Sequence, residues 1–155
     1  MYGDFQSAYG QQQQVQEYYQ QEPINQQSMC KNGVCPIVKP KNLIFSIPDN
    51  NDDFTQLLKE YPVIIVKAWA NWCEPCKLAS KKFHILAERY QNMIENKQLL
   101  LLADNIDNPD SIHKTKVDVI PTFFIYINGK INPSQVLTGV DFDKLEYLLS
   151  TIFQH

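Results

Sequence analysis

The chain has 155 residues, 44% of them apolar, and a net charge of −3, which suits one domain of ordinary size with its own core. That charge leaves no basic footprint for nucleic acid or for an acidic membrane surface. The apolar runs at 63–66 and 99–103 are far too short to span a bilayer, and Met1-Tyr2-Gly3-Asp4 opens no secretory signal.

Residues 1–29 hold ten of the fifteen glutamines, including Gln11 to Gln14, with few aliphatics. Such a stretch buries too little apolar surface to offset the entropy of ordering, so a disordered tail is expected. Residues 30–41 read as a linker, which makes 1–41 an extension and 42–155 the folded domain. The linker carries its own signal, Cys30-Lys31-Asn32-Gly33-Val34-Cys35. Asn-Gly is the preferred two-residue type I′ turn, and it would set Cys30 and Cys35 opposite each other at disulfide distance. The pair reads as a secondary redox relay, a regulatory disulfide or a weak metal clip, and incidental linker thiols stay open beside these.

From Asn42 the pattern turns to compact α/β alternation. Leu43 to Ile47 reads as a short strand, and Asp49 to Asp53 supply caps for a helix burying Phe54, Leu57 and Leu58. Val63 to Val66 is a β-branched run suited to a central strand. A long helix follows Cys73, with Ala79, Phe83, Leu86, Tyr90 and Ile94 on one buried stripe. Leu99 to Ala103 is another strand, and 108–116 a weakly helical segment. Thr122 to Ile127 is a strand closed by the turn Asn128-Gly129-Lys130. A weaker strand ends near Thr138-Gly139, and a last helix capped by Asp141 buries Phe142, Leu145, Leu149 and Ile152. The expected order is β-α-β-α-β-α-β-β-α, an α/β fold with a mixed sheet covered by helices on both faces.

The motif that carries chemistry is Trp72-Cys73-Glu74-Pro75-Cys76-Lys77, between a buried strand and the long helix. That junction sets Cys73 at a helix N-terminus, where free N–H groups and the macrodipole favour a thiolate. The thiolate is the attacking form, so Cys73 reads as nucleophile and Cys76, one turn in and more buried, as the resolving thiol. Pro75 suits the first turn, where its missing N–H costs nothing. A zinc site on this pair would need two further ligands, and His84, His113 and His155 are scattered; no metal is expected.

The stretch AWANWCEPCK, followed by VIPTFFIYINGK and by Thr138-Gly139, resembles the thioredoxin family over roughly residues 42–153. The resemblance implies the thioredoxin fold and protein-disulfide oxidoreduction through a redox-active disulfide of Cys73 and Cys76, with no other cofactor. It makes Pro121 a cis-proline packed against the dithiol, with Ile120 offering its backbone to an extended substrate segment. Trp72 and Gly139 would line the same apolar groove. Implied partners are disulfide-containing proteins and an external thiol reductase, with no nucleic acid and no membrane. The implied setting is the cytoplasm; the tail and composition also resemble thioredoxin-like proteins of large DNA viruses, which would place the chain in virions.

Two positions depart from that family. Glu74 replaces the usual glycine and places a carboxylate near Cys73, which predicts a less favoured thiolate and a more reducing couple. Lys67 stands where the family carries a buried acid thought to take the proton from the resolving cysteine. Lys67 is therefore a candidate proton acceptor or a cation that tunes the thiolates, with Asp104 on the neighbouring strand as its expected partner. Snorkelling to the surface is the bland alternative. Reduction of protein disulfides is the expected direction; a disulfide oxidase or isomerase, and a tail-tethered binding module without turnover, are the alternatives.

Overall fold

The computed structural model describes residues 32–34 and 42–154. The glutamine-rich tail, Cys30 and Cys35 lie outside the described residues. Between those cysteines, Asn32 and Gly33 take φ of 55° and 73°, the two positive values that a type I′ turn requires.

The domain runs β1 (Ile44–Ser46), α1 (Asn51–Glu60), β2 (Val63–Trp69), α2 (Glu74–Arg89), α3 (Gln91–Glu95), β3 (Leu99–Asn105), β4 (Thr122–Ile127), β5 (Val136–Thr138) and α4 (Phe142–Ile152). The five strands form one mixed sheet in the order β1-β3-β2-β4-β5. β3 pairs parallel with β1 and β2, while β4 runs antiparallel to β2 and β5. Central β2 is buried at all seven positions, as a β-branched run covered on both faces must be.

Alternation along the strands divides the core in two. Val63, Ile65, Trp69, Leu99, Leu101, Phe123 and Ile125 pack beneath α2 and α4. Ile64, Val66, Ala68, Leu100, Leu102, Phe124 and Tyr126 pack with Phe54 and Leu57 of α1 on the other face. No helix of the described residues is long and apolar enough to cross a membrane.

The caps follow local chemistry. The Asn50 side chain accepts from the Asp53 N–H at 2.8 Å and opens α1, whose first turn holds Asp52 and Asp53 and whose last holds Lys59. Asp141 accepts from the Lys144 N–H at 3.2 Å and opens α4 as expected.

Two expected helices differ. The long helix after Cys73 stops at Arg89 and restarts at Gln91, and Tyr90 between them (φ −103°, ψ 21°) packs its ring 6.0 Å from that of Phe153. The turn in the axis keeps Met93 and Ile94 against the core. The segment 108–116 forms only a single 3₁₀ turn, Lys114–Lys116. Here Asn105 and Asn108 side chains accept from the N–H groups of Asp107 and Asp110, and Asp104 accepts from Ser111 Oγ and the His113 N–H. Side chains that take up backbone donors in this way compete with a helix and win over a short stretch. The turn at Asn128-Gly129 forms, but an Asn132 to Gln135 turn intervenes before β5 pairs with β4.

Candidate active site

β2 ends at Trp69, and three residues carry the chain to Cys73, which caps α2. Its Sγ accepts from the Cys76 N–H at 3.3 Å, so the sulfur faces the free N–H groups of the helix end. Cys73 and Cys76 are joined as a disulfide with Cα atoms 5.3 Å apart. Pro75 occupies the first helical turn. The expected contrast in burial is slight in this oxidised form, with Cys73 5% and Cys76 2% exposed.

The loop before β4 closes over the disulfide. Ile120-Pro121 is a cis peptide, and the Ile120 carbonyl oxygen lies 3.8 Å from Cys73 Sγ. Gly139 donates its N–H to the Pro121 carbonyl at 2.8 Å and takes φ +81°, a conformation in which a side chain would be strained. Trp72 is 68% exposed and its indole Nε1 donates to Asp107 Oδ2 at 2.9 Å, which pins the ring beside the dithiol. Trp72, Ile120, Pro121 and Gly139 thus gather around Cys73, with exposed Val119 next to them in sequence. Asp107 escaped the sequence reading. Its signal is weak, one aspartate among several in a polar loop.

Glu74 is exposed and ion-paired with Lys77 at 2.7 Å one turn along. Water and that ammonium both screen the carboxylate from Cys73, so its electrostatic weight at the sulfur is small.

Lys67 is buried, on the face of β2 turned to α2. Its Nζ donates to Ser80 Oγ at 2.6 Å and lies 5.7 Å from the ring centroids of both Trp69 and Phe83. Burial drops its pKa from 10.5 to about 7. The expected partner is a correction: Lys67 is in register with Ala103, whereas Asp104 is in register with Ala68 and turns to the opposite face. Adjacent residues of a strand point to opposite sides, so an ion pair between these two cannot form. No carboxylate of the described residues forms an ion pair with Lys67 within 4 Å. Ser80 and His84 were also missed as neighbours. They follow Cys76 at four and eight residues, a spacing that puts all three on one helix face. Buried His84 has its pKa lowered to about 4, first by burial and then by the charge of Lys67.

On the other face Asp104 belongs to a separate network. Its Oδ2 accepts from the His113 ring Nδ1 at 2.9 Å, and His113 Nε2 meets the Tyr126 hydroxyl at 2.7 Å. Among the described residues no three His, Cys, Asp or Glu side chains converge as a metal site.

A family model described as Thioredoxin matches residues 46–151. A chloroplastic thioredoxin F of Oryza sativa subsp. japonica is 30% identical over 105 residues, 66% of this chain and 53% of that protein. Thioredoxin-T of Drosophila melanogaster is 32% identical over 103 residues, 64% of this chain and 61% of its own length. The matched stretch therefore spans little more than half of these relatives. Among solved structures, a Malassezia sympodialis thioredoxin superposes with a TM-score of 0.57 at 21% identity, covering 72% of this chain and 95% of that one. A mutant thioredoxin of Entamoeba histolytica gives 0.53 at 28% identity, covering 64% and 91%.

Proposed function

The chain belongs to the thioredoxin family, and from that premise we propose that it is a thiol–disulfide oxidoreductase that reduces disulfides of protein substrates. One observation carries this reading: the Cys73–Cys76 disulfide caps α2, with Cys73 Sγ 3.8 Å from the Ile120 carbonyl at the cis-proline loop. Once reduced, Cys73 is the thiolate that attacks a substrate disulfide at the helix N-terminus. Cys76 then attacks the mixed disulfide and releases the reduced substrate. Trp72, Ile120, Pro121 and Gly139 form the groove that receives the substrate segment, and Lys67 is the buried basic group that serves the dithiol. Glu74 is a minor tuner, given its pairing with Lys77.

An external thiol reductase restores the dithiol, and the working compartment is reducing, as the cytoplasm is. Residues 42–155 make up the catalytic domain and 1–41 a tail carried by it. Cys30 and Cys35, outside the described residues, are proposed as a secondary redox pair, a reading supported by the positive φ of both residues of the Asn32-Gly33 turn between them. Thiol counting by mass spectrometry after graded reduction tests that pair, and two thiols that never pair would remove it.

Turnover is tested by insulin reduction with dithiothreitol as donor. The wild-type chain should accelerate precipitation of the insulin B chain, and Cys73→Ser should return it to the uncatalysed rate. Equal activity of the two proteins would sink the reading and leave a groove that binds without turnover.

A further inference from the structure

Resolution needs Cys76 as a thiolate, yet Cys76 is buried, and among the described residues no carboxylate ion-pairs with the buried amine of Lys67 on the same side of the sheet. A thiol in apolar surroundings resists ionisation. A basic group on this side of the sheet is Lys67, whose Nζ donates to Ser80 Oγ at 2.6 Å. Ser80 stands four residues after Cys76 in α2, so the hydroxyl and the thiol project from the same helix face one turn apart. A hydroxyl accepts and donates at once, which an alanine or an apolar side chain in that place could not do.

We propose that Ser80 is a proton relay between the Cys76 thiol and the Lys67 amine, and that it sets the pH range in which the mixed disulfide resolves. The proposal rests on the dithiol reading above and adds a residue to it. In the step, the Cys76 S–H proton passes to Ser80 Oγ while the Ser80 hydroxyl proton passes to Lys67 Nζ. The Cys76 thiolate attacks Cys73 Sγ, forming the Cys73–Cys76 bond and breaking the bond from Cys73 to the substrate sulfur. That sulfur leaves with the electron pair as a thiolate and takes a proton from water, while Lys67 later returns its own to solvent. The substrate disulfide is reduced, the dithiol is oxidised, and no other reactant enters.

Other groups facing Lys67 leave this route in place. α2 presents Ser80, Phe83 and His84, with Cys76 one turn before Ser80; β2 presents Trp69; β3 and β4 present Ala103 and Phe123 in register. Of these only Cys76 and His84 titrate, and His84, with its pKa near 4, is neutral through the working range. Lys67, near 7, changes form inside it.

The experiment follows decay of the mixed disulfide between Cys73 and thionitrobenzoate by stopped flow from pH 5.5 to 10. The wild-type rate should rise through about pH 7 and then level. Ser80→Ala should slow resolution at pH 7 by about a hundredfold, the lower end of what a positioned acid–base group contributes, and move the rise to alkaline pH. Ser80→Thr, which keeps the hydroxyl, should retain the wild-type limb, and Lys67→Met should reproduce the alkaline limb of Ser80→Ala. A Ser80→Ala profile that overlays wild type would overturn the relay, whatever Lys67→Met does. Failure of the wild-type chain to form any mixed disulfide at Cys73 would instead overturn the oxidoreductase reading beneath it.

Discussion

The two faces of one sheet treat a buried charge in opposite ways. On the face covered by α1, the Asp104 carboxylate accepts from Ser111 Oγ, from the His113 N–H and from the His113 ring. The ring in turn meets Tyr126, whose pKa is pushed up to about 12 by burial and by Asp104, so its hydroxyl stays protonated. Phe54 and Phe124 pack their rings 5.6 and 4.6 Å from that of His113. On the face covered by α2, Lys67 has a serine hydroxyl and two aromatic faces, and no carboxylate ion pair among the described residues. A fully bonded buried network rigidifies, whereas an under-paired buried charge shifts its own titration. The first holds the 105–117 loop, and with it Asp107 and Trp72, in place. The second lies under α2, the helix that Cys73 caps, where a group that changes form near neutral pH would serve the proposed chemistry.

Breaking the bonded side should have the largest effect on stability. Asp104→Ala strands the His113 ring, its N–H and Ser111 in the interior, and should lower unfolding free energy by about 3–5 kcal/mol in urea titrations. A loss below about 1 kcal/mol would mean that the loop re-bonds easily and that the contrast between the faces is not energetic.

The opposite sign is expected from the other side. Lys67→Met replaces a poorly paired buried cation with an apolar chain, and should stabilise the protein at pH 6 by about 1–4 kcal/mol. The pH dependence follows from burial lowering Lys67 from 10.5 to about 7. Between those values the unfolded chain holds the proton and the folded chain does not, so wild-type stability rises with pH there. The advantage of Lys67→Met is therefore full below about pH 7 and shrinks toward pH 10. An advantage that stayed constant across that window would show that Lys67 keeps its charge when folded.

Strands, caps and the dithiol were legible in the sequence because each depends on local signals: β-branched runs, Asn and Asp before apolar periodicity, and Cys73 at a strand-to-helix junction. The Lys67–Asp104 pairing failed for a reason of register. Reading a neighbouring strand from sequence leaves its offset uncertain by a residue, and one residue moves a side chain to the other face. The helix expected over 108–116 failed because the acceptors that dissolve it, Asp104, Asn105 and Asn108, act through hydrogen bonds that composition does not display. Ser80 and His84 were within reach, since their spacing from Cys76 is helical, but a polar side chain on a largely apolar helix gives a weaker periodic signal than its apolar neighbours.

The smallest effect concerns Glu74, the one charge beside Cys73 that sequence reading weighted heavily. The contrast between the faces rests on burial, and Glu74 has none: its carboxylate is exposed and pairs with Lys77. If exposure decides electrostatic weight, removing this charge should matter far less than removing that of Lys67. Glu74→Gln should speed alkylation of reduced Cys73 by iodoacetamide at pH 7 by no more than about fivefold, since exposed pairs interact weakly. The increment should shrink further in 0.5 M salt, because the screening length falls with ionic strength. A salt-independent gain beyond tenfold would place the carboxylate against the sulfur in the reduced protein. The pairing with Lys77 would then belong to the disulfide form alone, and the potential of the couple would depend on residue 74 after all.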